Sequence, residues 1–316
     1  MEWGLRWWRC LLGRCLNPVI ANGRNGLRTD LPARAPITAT AHAPRKGSID
    51  MERVLMLQLD AVGCAAQAVL NGLPVASVGV AGGRVCLAVN EYTLTGRNEL
   101  SVVVGPAPAG SDTTPMPRVS IGTTSVTARL VLARMGQSPA DANVRVLAEV
   151  AWSVDDSKSY DTPATHAKEV ELPVNFPRWR WLDAPAVSIG PGVQRQVLEF
   201  VQQRSVELGR GHPDALIAAC KLRFDELALA YQTDSAVLVQ RFRAHVQRLY
   251  ADKALKLVPP LPQELLLRPL LDGRLIECLS VQGGPALCTR NEEPGSPNHA
   301  WPLRLAMVEG RIYVLR

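Results

Sequence analysis

The chain has 316 residues, of which 47% are hydrophobic and 20% are charged, and its formal net charge is +6. This length exceeds the roughly 100–200 residues of a typical single domain, so we expect two domains, each with an apolar core. Most of the excess charge lies in residues 1–50, which hold eight basic and three acidic residues, and the remainder is nearly neutral. Because this leaves no large basic face for phosphate-driven binding, we expect no nucleic-acid partner.

Residues 1–50 differ in composition from the rest of the chain. They are rich in Gly, Pro, Ala and Arg and show no hydrophobic period. The uncharged stretch between Arg9 and Arg14 is too short for the apolar core of a secretory signal peptide. We therefore predict a disordered basic extension. Two alternatives stay open, namely a targeting leader and a true start at Met51, where the patterned sequence begins.

Residues 51–156 have the pattern of short β-strands separated by Pro, Gly and Ser loops. Asn71-Gly72 lies between two apolar runs and predicts a two-residue hairpin, because both residues accept the positive φ of a type I′ turn. The stretch 61–83 carries no charge, but this turn lies near its middle, so we expect two strands there and no membrane span. The spacing of the strands indicates an antiparallel β-sandwich, such as a jelly roll.

The stretch from Ala68 to Val104 carries a family resemblance. It contains the Asn71-Gly72 hairpin, then Leu87-Ala88-Val89-Asn90, then Gly96-Arg97-Asn98-Glu99-Leu100-Ser101-Val102. In these features it resembles the jelly-roll sugar-binding domain of family 2 glycoside hydrolases and related galactose-binding-like domains. The resemblance implies a fold and makes carbohydrate a possible ligand. The catalytic barrel of that family, with its carboxylate pair, has no counterpart in the chain.

Residues 157–190 hold four prolines and no long period, and we predict a linker there. Within it, the motif FPRWRW (residues 176–181) places Trp179 and Trp181 on one side of an extended segment. Exposed, the two indoles would form a binding platform for a sugar, a base or a partner side chain. Buried, they would clamp the linker between the two domains. We favour the clamp, because exposed Trp pairs are rare on monomers.

Residues 191–316 predict an α+β domain. Apolar residues at steps of three and four indicate three helices, which begin at Pro191, near Pro213 and after Asp234-Ser235. Four or five strands joined by tight turns follow and indicate an antiparallel meander. This order resembles the NTF2-like superfamily in topology. The resemblance implies a cone-shaped cavity whose polar lining would include three residues, Tyr231, His245 and Glu277, although the Asp–His catalytic arrangement of that family has no counterpart here.

Two of these candidate residues have a structural alternative. His245 lies on the apolar stripe of the third helix, where it is either a cavity acid or base or a core histidine, and we favour the latter. Glu277 shares strand parity with Leu275 and Leu279. If that parity faces inward, Glu277 is a buried carboxylate with a raised pKa, and if it faces outward, Glu277 is solvated. We favour the solvated position, because burying an unpaired carboxylate is costly.

Sequence motifs identify no active site. The chain contains no GxGxxG, GxxxxGK[ST], HExxH or GxSxG pattern, and its five histidines have no metal-pair spacing, so we assign no metal and no cofactor. The seven scattered cysteines are consistent with reduced thiols and a cytoplasmic location. Our first hypothesis is a non-enzymatic protein that binds a protein or small molecule. The alternatives are a small-molecule enzyme with a C-terminal cavity and a carbohydrate-binding accessory protein.

Overall fold

The computed structural model describes residues 53–107, 114–134, 144–290 and 298–316. The predictions for residues 1–50 lie outside these ranges. We call residues 53–172 the β region and residues 191–316 the C-terminal region. The strands of the β region are β1 (Arg53–Val62), β2 (Ala66–Leu70), β3 (Leu73–Val78), β4 (Gly83–Ala88), β5 (Gly96–Val104), β6 (Met116–Val119), β7 (Thr124–Arg134), β8 (Arg145–Val154), β9 (Ser159–Thr162) and β10 (Ala164–Leu172).

Two four-stranded antiparallel sheets make up most of the β region. Their strand orders are β4-β1-β7-β8 and β10-β5-β2-β3, and β6 pairs with β9 in a small separate sheet. Side chains alternate between the faces of a strand, and in β5 the alternate residues Leu100, Val102 and Val104 are all buried. Strands β5 and β7 contact each other across a shared apolar core. The prediction of antiparallel strands is confirmed, whereas the jelly-roll topology stays a prediction.

The uncharged stretch 61–83 forms strands β2 and β3 with a tight turn between them. Asn71 and Gly72 have φ angles of 52° and 77°, as a type I′ turn requires. The predicted hairpin is therefore confirmed. In the portion of the chain that the structure describes, no helix has the length and apolar character needed to cross a bilayer.

Two asparagines fix the loop between β4 and β5. The Asn71 side chain donates hydrogen bonds to the carbonyl oxygen of Tyr92 and to Asn98 Oδ1, both at 2.8 Å. Asn98 Oδ1 also accepts the amide hydrogen of Leu94 at 2.7 Å. Both asparagines belong to the segment that resembles galactose-binding-like domains. Their contacts hold in place a 3₁₀ turn, Asn90–Tyr92, and Asn90 of this turn donates a 2.8 Å hydrogen bond to the carbonyl oxygen of Ala230 in the C-terminal region.

The predicted linker is wrong in its first half. Strands β9 and β10 lie inside residues 157–190, and β10 pairs with β5 along its full length from Ala164 to Leu172. The sequence shows no apolar alternation in β10, because this edge strand exposes most of its side chains to solvent, including Lys168 and Glu169. The connection between the two regions therefore comprises residues 173–190, although the division into independent domains stays a prediction.

The C-terminal region consists of helices followed by strands, as predicted. Its elements are α1 (Pro191–Gly209), α2 (Asp214–Ala219), α3 (Lys221–Ala230), α4 (Ser235–Ala251), β11 (Leu265–Leu270), β12 (Leu275–Ser280), β13 (Leu303–Val308) and β14 (Arg311–Val314). Pro191 starts α1, where its missing N–H costs nothing. The Asp234 carboxylate caps α4 by accepting the amide hydrogen of Ala236 at 2.8 Å.

The described helices number four, so the prediction of three is corrected. The second predicted helix is divided at Cys220, whose φ and ψ of −89° and 4° depart from helical values. The predicted apolar stripe still holds, since Leu216, Cys220, Phe224 and Leu227 are all buried. The periodicity identified the buried face correctly because burial continues across the break.

The strands of the C-terminal region form an antiparallel meander in the order β11-β12-β13-β14. Glu309 and Gly310, with φ angles of 49° and 73°, make the tight turn between β13 and β14. Residues around Pro285 form only isolated bridges to neighbouring segments, so the described meander has four of the four or five strands predicted. All but the last residue of β12 are buried, so both faces of this strand are covered.

Candidate functional site

Tyr231 lies at the contact between the two regions. It follows α3, and its hydroxyl donates a hydrogen bond of 2.5 Å to Glu91 Oε2 on the 3₁₀ turn of the β region. Burial raises the pKa of Glu91 to about 7, although the hydrogen bond from Tyr231 and the charge of Arg316 act in the opposite direction. Burial and the nearby Glu91 also raise the pKa of Tyr231. Tyr231 therefore joins the two regions, and this differs from the cavity-lining position that the sequence suggested.

His245 is a core histidine. It is 8% exposed on α4, and its ring meets the ring of His299 with centroids 5.8 Å apart. Its Nδ1 atom lies 3.3 Å from a guanidinium nitrogen of Arg248. Burial lowers the pKa of His245 to about 4, and the charges of His299 and Arg248 act in the same direction. The ring is therefore neutral near pH 7, in agreement with the structural alternative.

Glu277 is buried and ion-paired, a combination that neither sequence alternative described. It is 6% exposed on β12. Its carboxylate accepts hydrogen bonds from Arg304 Nε at 3.0 Å and from Arg268 Nε at 2.9 Å. Burial alone would raise the pKa of Glu277, but the charges and hydrogen bonds of the two arginines outweigh it and lower the pKa. Arg304 also donates to the carbonyl oxygen of Pro74 on β3, so this ion triad contacts the β region.

The two indoles of the FPRWRW motif are buried. Trp179 and Trp181 are both 0% exposed, whereas Arg178 and Arg180, which alternate with them along the chain, are exposed. The indole N–H of Trp179 donates a 2.6 Å hydrogen bond to the carbonyl oxygen of Thr93 in the β region. The burial matches the favoured clamp and corrects the exposed platform, since neither ring is accessible to a ligand in this structure.

One arginine connects the indoles to both regions. The Arg316 guanidinium lies 5.7 Å and 5.9 Å from the ring centroids of Trp179 and Trp181. It donates to Glu226 Oε2 on α3 at 2.6 Å and to the carbonyl oxygen of Glu91 at 2.8 Å. We call the buried group at this contact the joint cluster, which comprises Glu91, Tyr92, Trp179, Trp181, Glu226, Tyr231 and Arg316.

The joint cluster escaped the sequence analysis except for its two indoles and Tyr231. Glu91, Glu226 and Arg316 come from three distant segments, so no local spacing links them. The one available signal was Glu91, the only acidic residue between Asp60 and Glu99. A buried charge reveals its partners only in three dimensions.

An open groove of about 540 Å³ lies on the C-terminal region, on the outer side of β14. Its lining comprises Gln196, Glu199, Phe200, Gln203 and Arg204 of α1, Ala218 and Ala219 of α2, and Arg311, Ile312 and Tyr313 of β14. Arg204 is held over the Phe200 ring at 5.3 Å and donates to Glu207 at 2.9 Å. We call this feature the α1–β14 groove.

A second cavity of about 250 Å³ lies near the start of β11. Its lining includes Glu264, Ser280, Cys288 and Arg290. Neither this cavity nor the α1–β14 groove includes Tyr231, His245 or Glu277. These three residues therefore do not converge on either space.

The described ranges contain several cysteines, three of which are buried. No group of three or more His, Cys, Asp or Glu side chains is placed there to hold a metal ion. The five cysteines in these ranges are free thiols, of which Cys64, Cys220 and Cys278 are buried. Burial raises the pKa of Cys220 to about 12, which keeps this thiol protonated. The remaining two, Cys10 and Cys15, lie outside the described residues.

Comparison of the chain with protein-family models, with curated proteins and with solved structures gives no match. The resemblances to galactose-binding-like and NTF2-like domains therefore stay predictions.

Proposed function

We propose that this protein is a non-enzymatic binding protein whose partner, a polypeptide, occupies the α1–β14 groove. The observation that carries this proposal is the form of the groove. It is open and about 540 Å³ in volume, and three consecutive residues of an edge strand line one of its sides.

The lining suits reversible recognition of a polypeptide. Phe200 and Tyr313 offer apolar ring surface, and Glu199 and Arg311 bring opposite charges from opposite sides. Glu199 and Arg311 are exposed, and no ion pair is described for either of them in the part of the chain the structure covers. A mixed lining of aromatic and charged groups is typical of protein–protein interfaces that form and dissociate.

The rest of the molecule has a supporting role in this proposal. The β region would be a jelly-roll domain of galactose-binding-like type, and the C-terminal region an NTF2-like domain that carries the groove. The strand pairing of the first and the helix-then-meander order of the second support these assignments. The cavity-enzyme and carbohydrate-binding alternatives stay predictions, because no contact among the described residues favours either.

Peptide selection tests the proposal. A phage-displayed library of random 12-residue peptides is panned on the full-length protein, and enriched peptides are synthesised and titrated by fluorescence anisotropy. Ala218→Trp fills the groove, and Ala81→Trp is the matched change at an exposed alanine in the β3–β4 turn. We expect Ala218→Trp to weaken binding about tenfold or more, or about 1.4 kcal/mol, and Ala81→Trp to leave it unchanged. If no peptide is enriched, or if both variants bind like the parent, the proposal is wrong.

A further inference from the structure

The outer edge of β14 faces the α1–β14 groove. Among the described residues β14 is the last strand of its sheet, and β13 pairs with one of its two edges. Arg311, Ile312 and Tyr313 all line the groove, although successive side chains of a strand point to opposite faces. Three consecutive residues can line one groove only where it runs along the edge of the strand. The groove therefore exposes backbone as well as side chains.

The register of the β13–β14 hairpin determines which backbone groups point outward. Val308 and Arg311 flank the two-residue turn and are paired, and Met307 pairs with Ile312. In such a hairpin the flanking pair exchanges both of its hydrogen bonds, and the next pair exchanges none. The N–H and C=O of Ile312 therefore point away from β13 and toward the groove.

The surroundings of Ile312 leave this edge open. Gln196 of α1 donates a 2.5 Å hydrogen bond to the carbonyl oxygen of Gly310, which covers the edge at the turn. Two residues further along the strand, the amide of Ile312 has no hydrogen-bond partner among the described residues. A donor and an acceptor on one residue, side by side along an edge, match the donor and acceptor of another extended backbone.

We propose that the partner polypeptide binds as an extended strand that adds to the outer edge of β14. Its backbone pairs with the N–H and C=O of Ile312, and an acidic side chain lies opposite Arg311. In this mode of recognition the main-chain hydrogen bonds supply affinity and alternate side chains supply specificity. The inference rests on the proposed function and adds the conformation and charge of the partner.

A backbone methylation scan of the selected peptides tests the strand geometry without altering the protein. A single N-methyl group is placed on each residue of a peptide in turn. In strand addition one peptide N–H donates to the outward carbonyl oxygen of Ile312, so we expect a loss of about tenfold at the residue that carries this N–H and small losses at its neighbours. Equal losses at all positions, or none, with binding still sensitive to Ala218→Trp, would overturn strand addition and leave the proposed function in place. If Ala218→Trp leaves peptide binding unchanged, both strand addition and the proposed function are wrong.

A second test alters the protein at one backbone group. Ile312→Pro removes the outward N–H but no hydrogen bond to β13, whereas the control Ile312→Val keeps the N–H. We expect Ile312→Pro to abolish peptide binding and Ile312→Val to retain it. Equal binding by both variants contradicts the inference. A parent dimer in light scattering that Ile312→Pro dissociates would also overturn it, because a second copy of the chain would then occupy the edge. If Ile312→Pro fails to fold, the methylation scan still decides.

Discussion

The joint cluster and the α1–β14 groove use the same kinds of side chain in opposite ways. Both combine aromatic rings with arginine and glutamate. In the joint cluster Arg316 lies over two indoles and pairs with Glu226, and all of these groups are buried. In the groove Arg311 and Glu199 are exposed beside partly buried rings.

This difference shows that residue type alone does not distinguish a structural contact from a binding surface. FPRWRW was the most conspicuous candidate recognition motif in the sequence, yet both of its indoles are buried inside the molecule. The groove residues have no conspicuous pattern, yet their backbone and charges face solvent. If the joint cluster is structural and the groove is free for a partner, substitutions in the two places should differ sharply in their effect on stability.

The largest effect is expected at Trp181. Trp181→Ala removes a fully buried indole that lies beside the Arg316 guanidinium in the joint cluster, and such truncations cost about 3–5 kcal/mol in the free energy of unfolding. Urea unfolding followed by far-UV circular dichroism measures the change. The control is Trp152→Ala, because Trp152 is only partly buried on β8 and should contribute less. An unchanged midpoint for Trp181→Ala, with a native indole emission maximum typical of water, contradicts the clamp.

The ion pair between Arg316 and Glu226 should contribute nearly as much to the free energy of unfolding as Trp181 does. Arg316→Ala leaves the buried Glu226 carboxylate without its cation, and breaking a buried pair in this way costs about 3–5 kcal/mol. Arg178→Ala is the matched control, since the pair between Arg178 and Asp183 is exposed and screened by solvent, and its loss should change the unfolding midpoint much less. Equal unfolding midpoints for the two variants would show that the joint is not electrostatically coupled.

A smaller effect is expected from the proton on Glu91. The pKa of Glu91 is raised to about 7 in the folded protein, mainly by burial, so folding retains a proton that the unfolded chain releases near pH 4.5. This contribution to stability is complete below about pH 4.5 and is lost as the pH rises through about 7. We expect Glu91→Gln to remove this loss and to be more stable than the parent at pH 8. Urea midpoints measured from pH 5 to pH 8 provide the test, and parallel pH profiles would refute it.

The pKa of His245 is shifted in the opposite direction from that of Glu91, so the two residues should change the pH dependence of stability in opposite ways. Its pKa is lowered to about 4 by burial and by His299 and Arg248, so the folded protein excludes a proton that the unfolded chain takes up near pH 6.5. This stability is complete above about pH 6.5 and is lost as the pH falls through about 4. In the same urea series extended to pH 4, His245→Gln should therefore remove a loss of stability as the pH falls from about 6.5 to 4, whereas Glu91→Gln removes a loss as the pH rises from about 4.5 to 7. A His245→Gln profile parallel to that of the parent would contradict this expectation.

The smallest effect on stability is expected in the groove. Ala218 and Ala230 are both helical alanines, but Ala218 is exposed in the groove and Ala230 is buried beside the joint cluster, where its carbonyl accepts a hydrogen bond from Asn90. Ala218→Trp should change the free energy of unfolding by no more than about 0.5 kcal/mol. Ala230→Trp should destabilise by about 1–3 kcal/mol or more, because it overpacks the contact. Similar losses for both would mean that the groove is part of the packed structure.

The sequence predicted the elements of this fold better than their contacts. Asn71-Gly72 specified a hairpin because few residues tolerate two positive φ angles, and the stripe at Leu216, Cys220 and Phe224 identified a buried face. Strand β10 was missed because an exposed edge strand has no apolar alternation. Sequence patterns therefore predict a structural element correctly where its turn geometry or its burial restricts which residue types can occupy it.

The candidate sites depended on contacts between distant segments, and there the sequence was a poor guide. Glu277 was expected in solvent because an unpaired buried carboxylate is costly, but Arg268 and Arg304 pair with it. Arg268 and Arg304 come from neighbouring strands, so only the sheet register reveals this triad. The α1–β14 groove likewise arises from helices and a strand about 100 residues apart in sequence.

Hydrogen exchange of the full-length protein, measured by mass spectrometry with and without a library-selected peptide, tests the central claim most directly. If the groove is the binding surface and the joint cluster is structural, the peptide slows exchange in residues 311–314 and leaves residues 90–92 and 179–182 unchanged. Slowed exchange at the joint segments, with none in β14, would contradict the account and return recognition to the tryptophans.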